Sequence, residues 1–97
     1  MNEDKVGTIV HYWPKAGAAQ VELDHGIVQV GDRIRIKGHG HEFEQEILSL
    51  EIDHVSKSEG YPGEFVAIAV DQPVHERDEV WIVKARRSVP RPSWDRG

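Results

Sequence analysis

The most informative absence in this chain of 97 residues is cysteine, which does not occur at all. Disulfide bonds, thiolate zinc sites and thiol nucleophiles are therefore excluded, and the composition fits a reducing compartment. Long apolar runs are also lacking, since no segment approaches the ~20 residues that a membrane-spanning helix requires. The opening segment, MNEDKVGTIV, lacks the basic and apolar regions of a signal peptide. We expect a cytoplasmic protein that does not associate with membranes.

Basic residues are scarce over most of the chain. Residues 1–83 hold seven Lys and Arg against sixteen Asp and Glu, whereas residues 84–97 hold five against one, and the whole chain carries −5. An acidic body does not provide the basic patch that general nucleic-acid binding requires. Two prolines and the lack of an apolar period predict a flexible, basic tail over residues 85–97. Any polyphosphate partner would have to be contacted locally.

Short alternating segments make up the rest of the chain. We expect strands in six segments separated by Gly and Pro turn signals: 5–12, 18–23, 33–37, 42–55, 64–70 and 79–84. The segment 42–55 fits a helix or a strand, and we favour a strand with a bend near Ile47 because its neighbours are strands. A barrel removes the edges that a small all-β protein must otherwise protect. The prediction is an all-β fold, a six-stranded antiparallel barrel over residues 1–84.

Two histidines lie close together in the segment KGHGHE, residues 37–42. Side chains two residues apart on an extended segment point to the same side, so His39 and His41 can chelate one ion, with Glu42 or Glu44 as a third ligand. The alternative is a hairpin loop between two strands. We favour the loop, with at most adventitious affinity for zinc, nickel or copper. No cofactor is therefore expected.

Catalytic patterns are lacking as well. No G-x-S-x-G motif occurs, and a solvated strand face explains Glu51 and Asp53, so we expect no enzyme activity. Trp13 follows a strand and precedes a proline, which suits base stacking or partner docking, although it can equally cap a barrel mouth. Arg86 and Arg87 can contact RNA phosphate or an acidic protein, or simply keep the chain soluble.

The segment IVQVGDRIRIKG, residues 27–38, resembles part of the second domain of translational GTPases such as elongation factor Tu. Further similar features occur in the same order: Val6-Gly7 at the first strand, LDHG at 23–26, LEI at 50–52, GEFV at 63–66 and DEV at 78–80. The resemblance covers about residues 5–84. It extends to small stand-alone elongation-factor-like proteins and to the barrel appended to collagenase-like peptidases, and it implies the same barrel fold.

The resemblance implies a binding role and not a GTPase, because the chain contains no G-x-x-x-x-G-K-[ST] loop. In elongation factor Tu the second domain lines part of the pocket for the terminal adenosine and aminoacyl group of tRNA. Glu51 stands at the matching glutamate, and Val10 and Ile68 lie near its aliphatic positions. Ala18 and His54 depart from the pattern, which has a larger aliphatic residue and an arginine there.

Two main hypotheses remain. The first is a non-catalytic binding module that contacts tRNA ends, ribosomal components or a translation-related protein. Its contact residues would be Glu51, Val10, Ile68, Trp13, Arg86 and Arg87. The alternative is a protein-interaction barrel that is accessory to an enzyme complex of the collagenase-like peptidase type, with no role in RNA binding. The acidic body and the departures at the adenosine positions favour this alternative. The sequence does not specify the oligomeric state.

Overall fold

The computed structural model describes residues 3–83, which form ten β-strands and no helix. The strands are β1 Glu3–Trp13, β2 Ala18–Leu23, β3 Val28–Gln29, β4 Arg33–Gly38, β5 His41–Glu46, β6 Leu50–Ile52, β7 Val55–Lys57, β8 Glu59–Gly60, β9 Phe65–Ala69 and β10 Glu79–Val83. The predicted all-β class is confirmed. No helix in the described part of the chain could cross a membrane. The tail predicted at 85–97, with its arginines, lies outside the described residues.

The strands form two sheets. Eight strands pair in the order β5-β4-β10-β1-β2-β9-β6-β7, and β3 pairs with β8 in a separate sheet. Backbone bonds from Val30 to Ser58 (3.0 Å) and from Gly31 to Ile47 (2.8 Å) link the small sheet to the chain beyond β5. Within residues 3–83 the large sheet nevertheless ends at β5 and β7 without a closing ladder. The predicted six-stranded closed barrel is thus corrected to ten strands in an open arrangement.

The difference arises where single strands were expected to continue. The chain does break at Ile47, as predicted, because β5 ends at Glu46 and β6 begins at Leu50. A second reversal follows at Asp53 and His54, whose φ angles are both positive at 53° and 65°. Two positive φ values are typical of the two-residue turn that matches the twist of a β-hairpin. The polar segment after this turn is therefore not a plain loop. It contains β7, which pairs with β6, and β8, which pairs with β3.

Alternating side chains explain why these segments fold as half-buried strands. On β4, Ile34 and Ile36 are fully buried, whereas Arg33, Arg35 and Lys37 point to the other face. Burying an isoleucine contributes roughly 1.5–3 kcal/mol relative to exposing it. The core comprises Val6, Ile9, Ala19, Val21, Leu23, Val28, Ile34, Ile36, Phe43, Ile47, Leu50, Val66, Ile68, Val74 and Val80. One apolar cluster therefore lies between the inner faces of the strands.

Strand β1 lies in the middle of the large sheet and is irregular at two places. Its register shifts between Lys5 and Gly7 against β10, and between Ile9 and His11 against β2. An extra residue in one strand bends it and increases the local twist. The two irregularities let an eleven-residue strand curve around the core. At the far end of the β1–β10 ladder, Glu3 pairs directly with Val83.

Gln45 connects the edge strand β5 to the end of β9, although β5 and β9 do not pair. The side chain is 4% exposed. Its Nε2 donates to the Ala69 carbonyl at 2.8 Å, and its Oε1 accepts from the Asp71 backbone N–H at 2.7 Å. Gln45 lies on the edge strand β5, while Ala69 ends β9. One side chain therefore makes the contact that a closing ladder would otherwise provide.

Candidate functional site

The residues predicted to form an adenosine pocket do not share one face of the sheet. Leu50 pairs with Ile68 and both are buried, whereas the next pair along the ladder joins the exposed Glu51 to Ala67. Successive residues of a strand point to opposite faces. Glu51 therefore lies on the outer face and Ile68 in the core. Val10 is half-buried at the second irregularity of β1.

Trp13 ends β1 opposite Ala18, the first residue of β2. Its ring contacts His11 edge-on, with the ring centroids 4.7 Å apart and the planes at 66°. The side chain remains 38% exposed. Trp13 is therefore supported from one side and accessible from the other.

The histidines of the KGHGHE segment lie in a β-hairpin. Gly38 and His41 pair across it, which leaves His39 and Gly40 as the connecting turn. His41 then contacts Asp78, with its Nε2 2.9 Å from the Asp78 Oδ2, and its ring centroid is 5.3 Å from that of His75. The structure thus gathers His41, His75 and Asp78, whereas the sequence pattern had paired His41 with His39.

The cations of β4 are engaged by acidic side chains on the outer face. Arg35 contacts Glu42 at 3.0 Å, Glu3 at 3.2 Å, and Glu44. Hydrogen bonding to Glu44, reinforced by nearby carboxylate charge, raises the pKa of Arg35 above its ordinary value. Lys37 contacts Glu3 at 3.1 Å and lies over the Trp81 ring at 4.2 Å. Arg35 and Lys37 are thus already paired with carboxylates, which makes them poor contacts for a polyanion.

A different surface combines exposed apolar side chains with a groove. Val28 and Gly60 pair across β3 and β8, and both are buried. Their neighbours Ile27 and Tyr61 therefore point the opposite way, and they are 48% and 46% exposed. Tyr61 lines a groove of about 410 Å³. The full lining comprises Ile52, Asp53, Val55, Lys57, Glu59, Tyr61 and Glu64. We call Ile52, Val55 and Tyr61, with the charged residues of this groove, the Tyr61 face.

Two glutamates hold Tyr61 in place. The hydroxyl of Tyr61 donates to the Glu59 Oε1 at 2.8 Å, and its backbone N–H donates to the Glu64 Oε1 at 2.8 Å. The hydrogen bond to Glu59, together with that carboxylate's negative charge, raises the pKa of Tyr61. A fixed, protonated phenol on an exposed surface suits recognition, because an ordered aromatic ring loses little freedom on binding.

Sequence reasoning did not identify this surface, although one signal was present. The segment 56–63 is polar apart from Tyr61, and such a composition is typical of a loop. A single aromatic residue in a polar segment is often functional, because loops carry many binding residues. What the composition does not reveal is that β8 pairs with β3 and that Tyr61, directly after β8, lines an exposed groove.

Comparison with known proteins identifies relatives of the kind named in the alternative hypothesis and not of the kind named in the first. The chain is 30% identical over 81 residues to an uncharacterized protease of Methanocaldococcus jannaschii, an alignment that covers 82% of this chain and 20% of that protein. The chain therefore spans about a fifth of the length of the curated relative that it matches. No family model matches the chain.

Two solved structures share the fold. Both are crystal structures of the C-terminal domain of a putative U32 peptidase from Geobacillus thermoleovorans, one of them a selenomethionine variant. The variant gives a TM-score of 0.75 at 20% identity and covers 79% of this chain and 96% of that domain. The other gives 0.73 at 20% identity, with 77% and 86% covered. The fold is therefore that of a domain found at the end of a peptidase-like protein.

These findings correct the prediction of a translation-factor-like, RNA-binding protein. The relatives are a protease and a peptidase domain and are not translation factors. The V-G-D turn and the alternating strand after it specify how the chain folds, since they set a turn and bury Ile34 and Ile36. They do not specify a ligand. The second resemblance, to a barrel appended to peptidases, agrees with the comparisons.

Proposed function

We propose that this chain is a non-catalytic accessory domain that binds a peptidase-like catalytic domain through the Tyr61 face. The observation that carries the proposal is the extent of the match to the protease of Methanocaldococcus jannaschii. The similarity takes in most of this chain and only a fifth of that protein. A segment of this size and fold supports an added module better than it supports a catalytic body.

The Tyr61 face has the composition of a protein-binding surface. Aromatic residues that are fixed in place dominate binding energy at interfaces, and apolar neighbours exclude water around them. Tyr61 is held by hydrogen bonds to both of its neighbouring glutamates, and Val55, which is about half exposed, lines the same groove. These features support contact with an ordered protein surface.

The charges around the groove indicate what its partner carries. Asp53, Glu59 and Glu64 oppose one cation, Lys57, so the rim has an excess of negative charge. Complementary interfaces place opposite charges against one another and thereby set orientation and association rate. The docking surface of the peptidase-like partner should therefore be apolar at its centre, with Arg or Lys around it.

The experiment is capture followed by a measured affinity. Tagged protein would be used to capture partners from cells of the organism that makes it, and mass spectrometry would identify them. A peptidase-like protein should be recovered, and isothermal titration with the purified partner should give a saturable complex. Tyr61→Ala should weaken binding by roughly 30-fold or more, because central aromatic residues contribute about 2 kcal/mol or more.

Trp13→Ala is the matched control. Trp13 is also a partly exposed aromatic residue, but it pairs with Ala18 at one end of β2, whereas Gly63 bonds to Leu23 at the other end. The two sites are separated by the length of that strand, about 17 Å. Equal weakening by both variants, or capture without any peptidase-related protein, would contradict the proposal.

A further inference from the structure

We propose that His41, His75 and Asp78 bind one divalent transition-metal ion, of the class of zinc, nickel or cobalt. The ion would join the β4–β5 hairpin to the turn before β10. This site uses none of the residues of the Tyr61 face, so it stands independently of the accessory function.

Strand pairing brings these residues together from distant parts of the chain. Lys37 pairs with Glu79 in the β4–β10 ladder, which places Gly38 beside Asp78. Gly38 in turn pairs with His41 across the hairpin. A side chain at position 38 would collide with the Asp78 carboxylate and with the His41 ring. Glycine at this position therefore leaves the space in which the two ligands meet.

The turn that carries Asp78 is firmly attached to β1. Arg77 N–H donates to the Ile9 carbonyl at 2.7 Å, and Ile9 N–H donates to the Asp78 carbonyl at 2.8 Å. Arg77 has a φ of 81°, which is unusual for a residue with a side chain. Backbone held in such a conformation by its surroundings is common where side chains are positioned for a ligand. The support for Asp78 is therefore preformed.

The ligand atoms are close enough to share an ion. The Nε2 of His41 is 2.9 Å from the Oδ2 of Asp78, near the ~3.3 Å that separates two ligand atoms in a tetrahedral zinc site. The ligand atoms of all three residues lie within 4.8 Å of one another. Two atoms bound to one ion are at most about 4.2 Å apart. Rotation of the exposed His75 ring supplies the remaining adjustment.

The buried carboxylate has an oriented second contact. The Oδ2 of Asp78 accepts the backbone N–H of His75 at 2.9 Å, and the residue is 5% exposed. Hydrogen bonds of this kind fix the direction in which a carboxylate presents its oxygens to a metal. Two imidazoles and one carboxylate, without thiolates, match the preference of zinc, nickel and cobalt for nitrogen and oxygen ligands.

Solvent has access to the site from one side. A groove of about 620 Å³ is lined by Gly38, His39, His75, Glu76 and Asp78, with neighbouring residues. Three protein ligands leave a fourth position of a tetrahedral ion open. Water can occupy it, and the histidine pair of the sequence motif is only partly used, because the grouped ligand atoms belong to His41, His75 and Asp78.

The test uses the tag-free protein, because a histidine tag binds the same ions. After chelator treatment and dialysis, thermal unfolding would be followed with one equivalent of Zn²⁺, Ni²⁺ or Co²⁺, and with Mg²⁺ as a control ion. The transition metals should raise the melting temperature, since an ion that binds only the folded state stabilises it. Titration calorimetry should give one site, and Co²⁺ should show the visible bands of nitrogen coordination.

The decisive variant is His75→Ala, because His75 is exposed and its removal should leave the fold intact. It should weaken Co²⁺ and Zn²⁺ binding by at least about tenfold. Removing a residue that only hydrogen-bonds to a metal ligand usually lowers affinity by about that much, and removing a ligand should lower it at least as far. His25→Ala is the matched control, since His25 also pairs with an aspartate, Asp24, at 3.3 Å. Unchanged melting with all three ions would overturn the proposal. So would binding that His75→Ala weakens no more than His25→Ala.

Discussion

Replacing Gln45 by leucine should destabilise the domain by about 2 kcal/mol. The substitution keeps the side chain's approximate volume but removes the hydrogen bonds to Ala69 and Asp71, at 2.8 and 2.7 Å. Each such bond contributes about 1 kcal/mol net. Ala69 and Asp71 are solvent-exposed residues, so we expect water to satisfy part of the freed hydrogen-bonding capacity and use the net value. The loss corresponds to a fall of roughly 8–16 °C in melting temperature for a domain of this size.

Gln45→Glu separates the two hydrogen bonds. The introduced carboxylate still accepts from Asp71, but its second oxygen faces the Ala69 carbonyl and its charge is buried. Its folded pKa should therefore rise above the unfolded value of about 4.3. Below the unfolded pKa the introduced carboxyl is protonated in both states, so the charge does not destabilise the variant. The destabilisation develops as the pH rises through the folded pKa and the buried group ionises. The variant should approach wild type in acid and fall below it at neutral pH.

Thermal and urea unfolding monitored by circular dichroism would measure both effects. Gln72→Leu, at an exposed position, is the control for adding an apolar side chain. A Gln45→Leu protein within about 0.5 kcal/mol of that control would refute the reasoning, since surface substitutions usually fall in this range. The edge strand β5 would then be held by its ladder to β4 and by the core alone.

Three further predictions concern single contacts. Gly38→Ala should destabilise the domain by about 1–3 kcal/mol in urea unfolding, because the added methyl group collides with the Asp78 carboxylate. Glu59→Gln should move the ultraviolet titration of Tyr61 to lower pH, because the negative charge and the hydrogen bond to the Glu59 carboxylate, which raise its pKa, are removed. The titration would be measured in a Tyr12→Phe background, so that Tyr61 alone is observed. An unchanged titration would contradict this assignment. The pKa of Glu44 is lowered by hydrogen bonds from the arginines of β4, so its contribution is present above the unfolded pKa and lost as pH falls through the lower folded value. Glu44→Gln should accordingly reduce the loss of stability between neutral and acidic pH, as followed by urea unfolding.

Local pattern was sufficient to predict several strands. The alternation in 18–23 predicted β2 with its observed bounds, and the alternation in 33–37 predicted β4 to within one residue. In both segments one face is buried, so that the period of two is visible in the sequence. The two-residue turn at Asp53 and His54 was not predicted, because neither residue is the glycine that usually marks a positive φ.

The candidate sites depended on long-range register and could not be predicted in the same way. His41 meets Asp78 only because Lys37 pairs with Glu79, and nothing near either residue in the sequence specifies that pairing. The segment 27–38 was correctly associated with a small all-β fold and incorrectly with translation factors. Its turn and alternation are requirements of folding, which proteins with different ligands can share.

The pairing of Glu3 with Val83 has a consequence for how such a unit can be joined to others. Directly opposite residues of an antiparallel ladder have Cα atoms about 5 Å apart. The two ends of the described chain therefore lie side by side. We expect that the domain could be inserted into a surface turn of another protein without separating the two sides of that turn. For the same reason a short linker could join the two ends, and the chain could be cut open at the exposed Asp53–His54 turn to give a circular permutant. We therefore expect this domain to tolerate insertion into other proteins at a surface turn.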